Sequence, residues 1–135
     1  MKKSQPPYFP TVILLILLQV ANYLIQKYAS AEVNSQLIFG TLGDNAIAIG
    51  VSLLLILILV ISHKKGLIEA APVYLIIAGA VSNIFDRVFY GGVIDYFTLP
   101  LIPMFNIADI CIVMGIGIFI YHTLSQVYPV NGRKK

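Results

Sequence analysis

Asp86, Asp95 and Asp109 are half of the six acidic residues in this chain, and Asn83, Arg87 and Asn106 are interleaved with them. Two carboxylates held within a few ångströms cannot both ionise cheaply, so such a pair shares a proton and can act as acid and base together. The matching reaction is aspartic proteolysis. One carboxylate takes a proton from water, and the other, protonated, polarises the scissile carbonyl and then protonates the leaving amine. No other hydrolytic constellation competes, because His63 and His122 fall far from these aspartates along the helices, and neither zinc-ligand spacing nor a phosphate-cradling glycine loop is present. Three ordinary roles stand beside this reading: Asn106 as a helix cap, Asp86 paired with Arg87, and Asp95 solvated in a loop. Asn and Asp buried in a membrane also mark ion paths, which keeps a small transporter or proton conductor open as an alternative. A transport path needs polar groups through its full depth, and the apolar stretch 46–61 offers only Ser52.

The elements that must position these residues are helices in lipid. With 59% hydrophobic and 11% charged residues, the chain lacks the polar surface of a soluble domain. Its apolar residues form four blocks at about 9–28, 46–62, 70–89 and 105–124, each long enough to cross a bilayer as a helix. The expected fold is therefore an all-α membrane protein, a single domain over 1–135. Between the first two helices lies a short extracytoplasmic segment with room for a small β cradle.

Lys2 and Lys3, then His63, Lys64 and Lys65, then Arg133, Lys134 and Lys135 all fall on one side of a four-span arrangement, which predicts both termini in the cytoplasm. The net charge of +3 is thus a topology signal and only weak evidence for nucleic-acid binding, so no nucleic-acid partner is expected. Ala29, Ser30 and Ala31 resemble a signal-peptide cleavage site, but the polar gap from Asn22 to Tyr28 is too long for one, so the first block is expected to remain a span. Cys111 lies within the fourth block as an apolar packing residue. Ala78, Gly79 and Ala80 in the third block, with Gly115 and Gly117 in the fourth, predict close helix approach.

The third helix runs outward and the fourth inward, so Asn83 and Asp86, three residues apart on one face, meet Asn106 and Asp109 at the same outer level. The segment 90–104, with Gly91, Gly92, Pro100 and Pro103, brings Asp95 beside them.

The stretch VSNIFDRVFYGGVIDYF from Val81 to Phe97, followed by FNIADI from Phe105 to Ile110, closely resembles the lipoprotein signal peptidases, also called signal peptidase II. Their pattern is Asn-x-x-Asp-Arg ending the third span, a Gly-x-Val-x-Asp-Phe-like segment, and Phe-Asn-x-Ala-Asp opening the fourth. The resemblance implies that Asp95 and Asp109 are the catalytic pair, that Asn83, Asp86, Arg87 and Asn106 order it, and that Lys27 of the first span belongs to the site. It further implies a monomeric enzyme of the bacterial cytoplasmic membrane, surrounded by lipid. The enzyme would cut a prolipoprotein before its diacylglyceryl-modified cysteine, without metal or organic cofactor. The alternative within the same resemblance is a pseudoenzyme that binds lipidated peptides without cutting them.

The amino-terminal half departs from the pattern. Tyr23 stands four residues before Lys27, where the family carries aspartate, and Asp44 to Gly50 keeps Ala48 and Gly50 of an Asn-x-Gly-x-Ala-Phe-Gly segment but has Asp44, Ala46 and Ile49 at other motif positions. The short stretch 29–45 predicts a trimmed substrate cradle.

Overall fold

The computed structural model describes residues 9–28, 32–34 and 45–127, so the terminal lysine and arginine clusters and Asp44 lie outside the described residues. Four helices, α1 (Phe9–Tyr28), α2 (Asn45–Lys64), α3 (Ala70–Tyr90) and α4 (Ile107–Val127), are each long and apolar enough to cross a membrane. Strand β1 (Glu32–Asn34) follows α1. Strands β2 (Val93–Asp95), β3 (Phe97–Leu99) and β4 (Ile102–Phe105) lie between α3 and α4.

The central helix is α3, which packs against α1, α2 and α4 and is the most buried of the four. Its tightest contact is with antiparallel α4, and small residues allow it. A Cβ on Gly79 would meet the carbonyl oxygen of Ala108 and lie 2.7 Å from Ile112 Cγ1, and one on Gly115 would lie 2.6 Å from Ile76 Cγ1 and 2.9 Å from the Pro72 carbonyl oxygen. Without a hydrophobic force between helices in lipid, such backbone approach supplies the dispersion contact that holds them. Gly117 plays no such part, because nothing lies within 4 Å of the Cβ it lacks. At the site-bearing end, Leu18, Ala78, Ala108 and Cys111 form a buried cluster that ties α1 to the α3–α4 pair.

The α2–α3 connection is a Schellman turn. Leu67 N–H donates to Ser62 O at 3.0 Å and Gly66 N–H to His63 O at 2.9 Å, with Gly66 at φ +71. Glu69 precedes α3 in an extended conformation without capping it. Its carboxylate instead lies 3.2 Å from His122 Nδ1 near the end of α4.

The segment 90–104, expected as a loop, is mostly strand. Gly91 ends α3 in the left-handed region at φ 76. Then β2 pairs antiparallel with β1, Glu32 opposite Asp95 and Asn34 opposite Val93, and β3 pairs with β4 through an irregular register. β1 is a strand of the expected cradle between α1 and α2, but its partner comes from the far side of α3. The fourth helix begins at Ile107, not at 105, because β4 occupies Ile102–Phe105 and Asn106 caps the helix.

Candidate active site

The site is assembled where α3 ends, α4 begins and β2 crosses between them. Asn106 is the residue on which it turns. Its Oδ1 accepts from Asp109 N–H at 3.0 Å, and its own N–H donates to Asp109 Oδ2 at 3.1 Å, a reciprocal capping arrangement that fixes the Asp109 carboxylate on the first turn of α4. Its amide Nδ2 then donates to Asn83 Oδ1 at 3.1 Å and to Asp95 Oδ1 at 3.3 Å. Asn83 completes the ring by donating from Nδ2 to Asp109 Oδ1 at 2.9 Å. The carboxylates of Asp95 and Asp109 are thus gathered around one fully buried amide, with Asp95 itself only 3% exposed. Asn106 is a cap, as an ordinary reading has it, and a bridge as well. Asp95 is not a solvated loop residue.

Asp86 and Arg87 do not pair with each other. Neighbours in a helix point about 100° apart, so they reach different helices. Asp86 turns to α1, where its Oδ2 accepts from Asn22 Nδ2 at 2.9 Å and from Ile94 N–H at 3.4 Å, while its buried Oδ1 meets no donor among the described residues. Arg87 turns to α2, donating from Nη1 to Asn45 Oδ1 at 2.8 Å, and its charge lies within reach of Asp95 and Asp109. Asn83 and Asp86, three residues apart, face α4 and α1 respectively.

Lys27 is not brought to this cluster. It is exposed near the end of α1, its ammonium 5.2 Å from the centroid of the Tyr28 ring. Tyr23 is likewise turned out, at 56% exposed. The residue of α1 that enters the site is Asn22, 2% exposed. Gln19, one turn earlier on the same face, donates to Ser82 Oγ at 3.0 Å. Sequence reasoning passed over Asn22, Asn45 and Tyr96. The signal for the first was available: Thr11, Leu18 and Asn22, at helical spacing, form the buried stripe of α1.

Tyr96 follows Asp95 directly. Its hydroxyl accepts from Ile107 N–H at 3.1 Å and donates to Asn22 Oδ1 at 3.3 Å. Burial pushes this hydroxyl's pKa above the usual tyrosine value; the Ile107 hydrogen bond pulls it back, and the carboxylates of Asp86, Asp109 and Asp95 push it up again. It therefore remains a neutral donor through the physiological range. Among the described residues, no group of three His, Cys, Asp or Glu is placed to hold a metal ion.

Residues 24–125, most of the chain, match the family described as signal peptidase (SPase) II. The chain belongs to the signal peptidase II family. A lipoprotein signal peptidase of Wigglesworthia glossinidia brevipalpis is 37% identical over 89 residues, covering 63% of this chain and 57% of that one. One from Thermodesulfovibrio yellowstonii is 50% identical over 56 residues, 38% of each chain. The chain thus spans about half the length, or less, of these curated relatives. A bacterial membrane enzyme solved by the in meso method at 2.3 Å superimposes with a TM-score of 0.81 at 22% identity, over 96% of this chain and 93% of that one, which shows a shared fold. The family's Asn-x-x-Asp-Arg and Asn-x-Ala-Asp segments are the residues that converge here, from Asn83 to Arg87 and from Asn106 to Asp109.

Proposed function

We propose that this protein is a membrane aspartic endopeptidase of the signal peptidase II type, which removes the signal peptide of a diacylglyceryl-modified prolipoprotein by cutting before the lipidated cysteine. The observation that carries this reading is the Asn106 side chain, whose amide donates to Asp95 while its carbonyl and the backbone N–H at the same residue hold Asp109. Asp95 and Asp109 are the catalytic pair. One carboxylate takes a proton from water as the oxygen attacks the scissile carbonyl carbon. The other, protonated, hydrogen-bonds the carbonyl oxygen and, as the tetrahedral intermediate collapses and the C–N bond breaks, gives its proton to the departing amine. Asn83 and Asn106 orient the pair, Asp86 and Arg87 anchor the surrounding backbone to α1 and α2, and Arg87 offsets part of the negative charge.

In this reading the protein lies in the bacterial cytoplasmic membrane, with both termini in the cytoplasm and the strands on the opposite face. The substrate's acyl chains stay among the lipids flanking the bundle, and its peptide reaches the aspartates at the bilayer surface. Four spans with exposed apolar faces support that placement, as do Asp86, Asp95 and Asp109 at one end of the bundle, opposite the Glu69 and His122 contact. The test is incubation of the purified protein in lipid with a diacylglyceryl-modified prolipoprotein and with its unlipidated form. Release of a fragment beginning at the lipidated cysteine, from the first substrate only, is expected. Cleavage of neither would leave the binding-only role, and equal cleavage of both would remove the lipid requirement.

A further inference from the structure

Asp95 and Asp109 sit on different elements, a short strand and a helix, and two strands of three residues are marginal as a scaffold on their own. What holds one aspartate against the other is therefore an open structural question, to which the hydrogen bonds around Asp95 give an answer. On one side, Ile94 N–H is tied to Asp86. On the other, the Tyr96 hydroxyl takes the Ile107 N–H, two residues before Asp109, and is itself tied to Asn22. Asn22 and Asp86 are joined directly. We propose that Asn22 and Tyr96 form a positioning latch, running from α1 through the residue after Asp95 to the start of α4, that sets the separation of the two aspartates.

The latch rests on the reading of Asp95 and Asp109 as the catalytic pair, and neither Asn22 nor Tyr96 touches substrate in it. Both members use a donor and an acceptor in the chain: the tyrosine hydroxyl accepts once and donates once, and the asparagine amide donates to a carboxylate and accepts from the hydroxyl. Asn22 and Tyr96 are both neutral, so the two latch residues add no charge of their own beside the pair. It also gives a role to the departure in the first span, because α1 presents the amide of Asn22 inward where Tyr23 points away.

The experiment compares the full-length parent in lipid with Tyr96→Phe, Asn22→Leu and the double variant, measuring kcat, KM and the pH dependence of kcat on a lipidated prolipoprotein. Reaction of buried Cys111 with a thiol dye checks that each variant stays folded. Because an ångström of misplacement can lower a rate about a hundredfold, Tyr96→Phe is expected to lower kcat by roughly ten- to a hundredfold. KM should stay within about twofold, the acid limb of the profile should move, and the double variant should be no slower than the worse single one, as expected for residues acting through one network. A parent-like kcat in Tyr96→Phe overturns the latch, as does a rise in KM alone, which would put Tyr96 against substrate, or loss of Cys111 protection, which would make it a fold residue. If Asp95→Asn in the same series also cleaves like the parent, the reading of the pair fails and the latch falls with it. Loss of cleavage in Asp95→Asn beside a parent-like Tyr96→Phe removes the latch alone.

Discussion

Replacing Asn106 separates its two tasks. Asn106→Ala deletes the cap on Asp109 N–H and the amide that serves Asn83 and Asp95, all in a position with no solvent access to substitute for them. Losing a helix N-cap costs about 1 kcal/mol. A buried acceptor that loses a donor costs about 1–3 kcal/mol, so the total is on the order of 2–4 kcal/mol once partial relaxation is allowed. Asn106→Ser keeps a capping oxygen but has no amide to reach Asn83 and Asp95, so it should be more stable than the alanine variant by about 1 kcal/mol. In both, the aspartates are no longer joined through the same group, and kcat should fall about a hundredfold. Stability is read from the temperature at which the buried Cys111 becomes reactive in detergent, and kcat from product formation on a lipidated substrate. A serine variant that cleaves within twofold of the parent would refute the reasoning, since the cap alone would then suffice.

Gly79→Ala should lower stability by about 1–3 kcal/mol through overpacking and slow cleavage, because its methyl would press on Ala108 beside Asp109. Gly117→Ala, whose methyl meets nothing within 4 Å, should stabilise α4 by about 0.5–1 kcal/mol and leave cleavage unchanged, with Cys111 reactivity and product formation the two readouts. Tyr23→Asp, which restores the acidic residue of the family pattern, should not raise kcat, because position 23 faces away from the cluster while Asn22 enters it; a clear gain in rate would show that α1 rotates in the working enzyme. His122→Ala breaks an exposed contact with Glu69 and should change stability by less than about 1 kcal/mol, measured by the same thiol reaction.

The four helices were legible because lipid imposes a simple rule: a span must satisfy its backbone internally and be apolar for its full length. The long blocks follow that rule to within three residues at their ends. The motif residues were legible too, since polar groups stand out against an apolar background, and Asn83, Asn106, Asp95 and Asp109 do come together. The strands were not. Those of three and four residues carry little periodicity, and β2 pairs with β1 from the other side of two helices, a contact that no local pattern encodes. The partners of Asp86 and Arg87 were hidden for a related reason, because adjacency in sequence suggested a pair that helix geometry forbids. Lys27 was expected at the site by resemblance, yet its side chain lies on the exposed side of α1, against the Tyr28 ring. Asn22 could have been found by extending the buried stripe of α1 one turn beyond Leu18.

The most direct test of the account is cleavage of a diacylglyceryl-modified prolipoprotein by the parent, Asp95→Asn and Asp109→Asn, which keep the shape of each side chain and remove its charge. Both variants should remain folded, with Cys111 protected, and should release no detectable product while the parent releases its fragment. Cleavage by either folded variant at a rate near the parent's would contradict the assignment of that aspartate and, with it, the two-carboxylate mechanism.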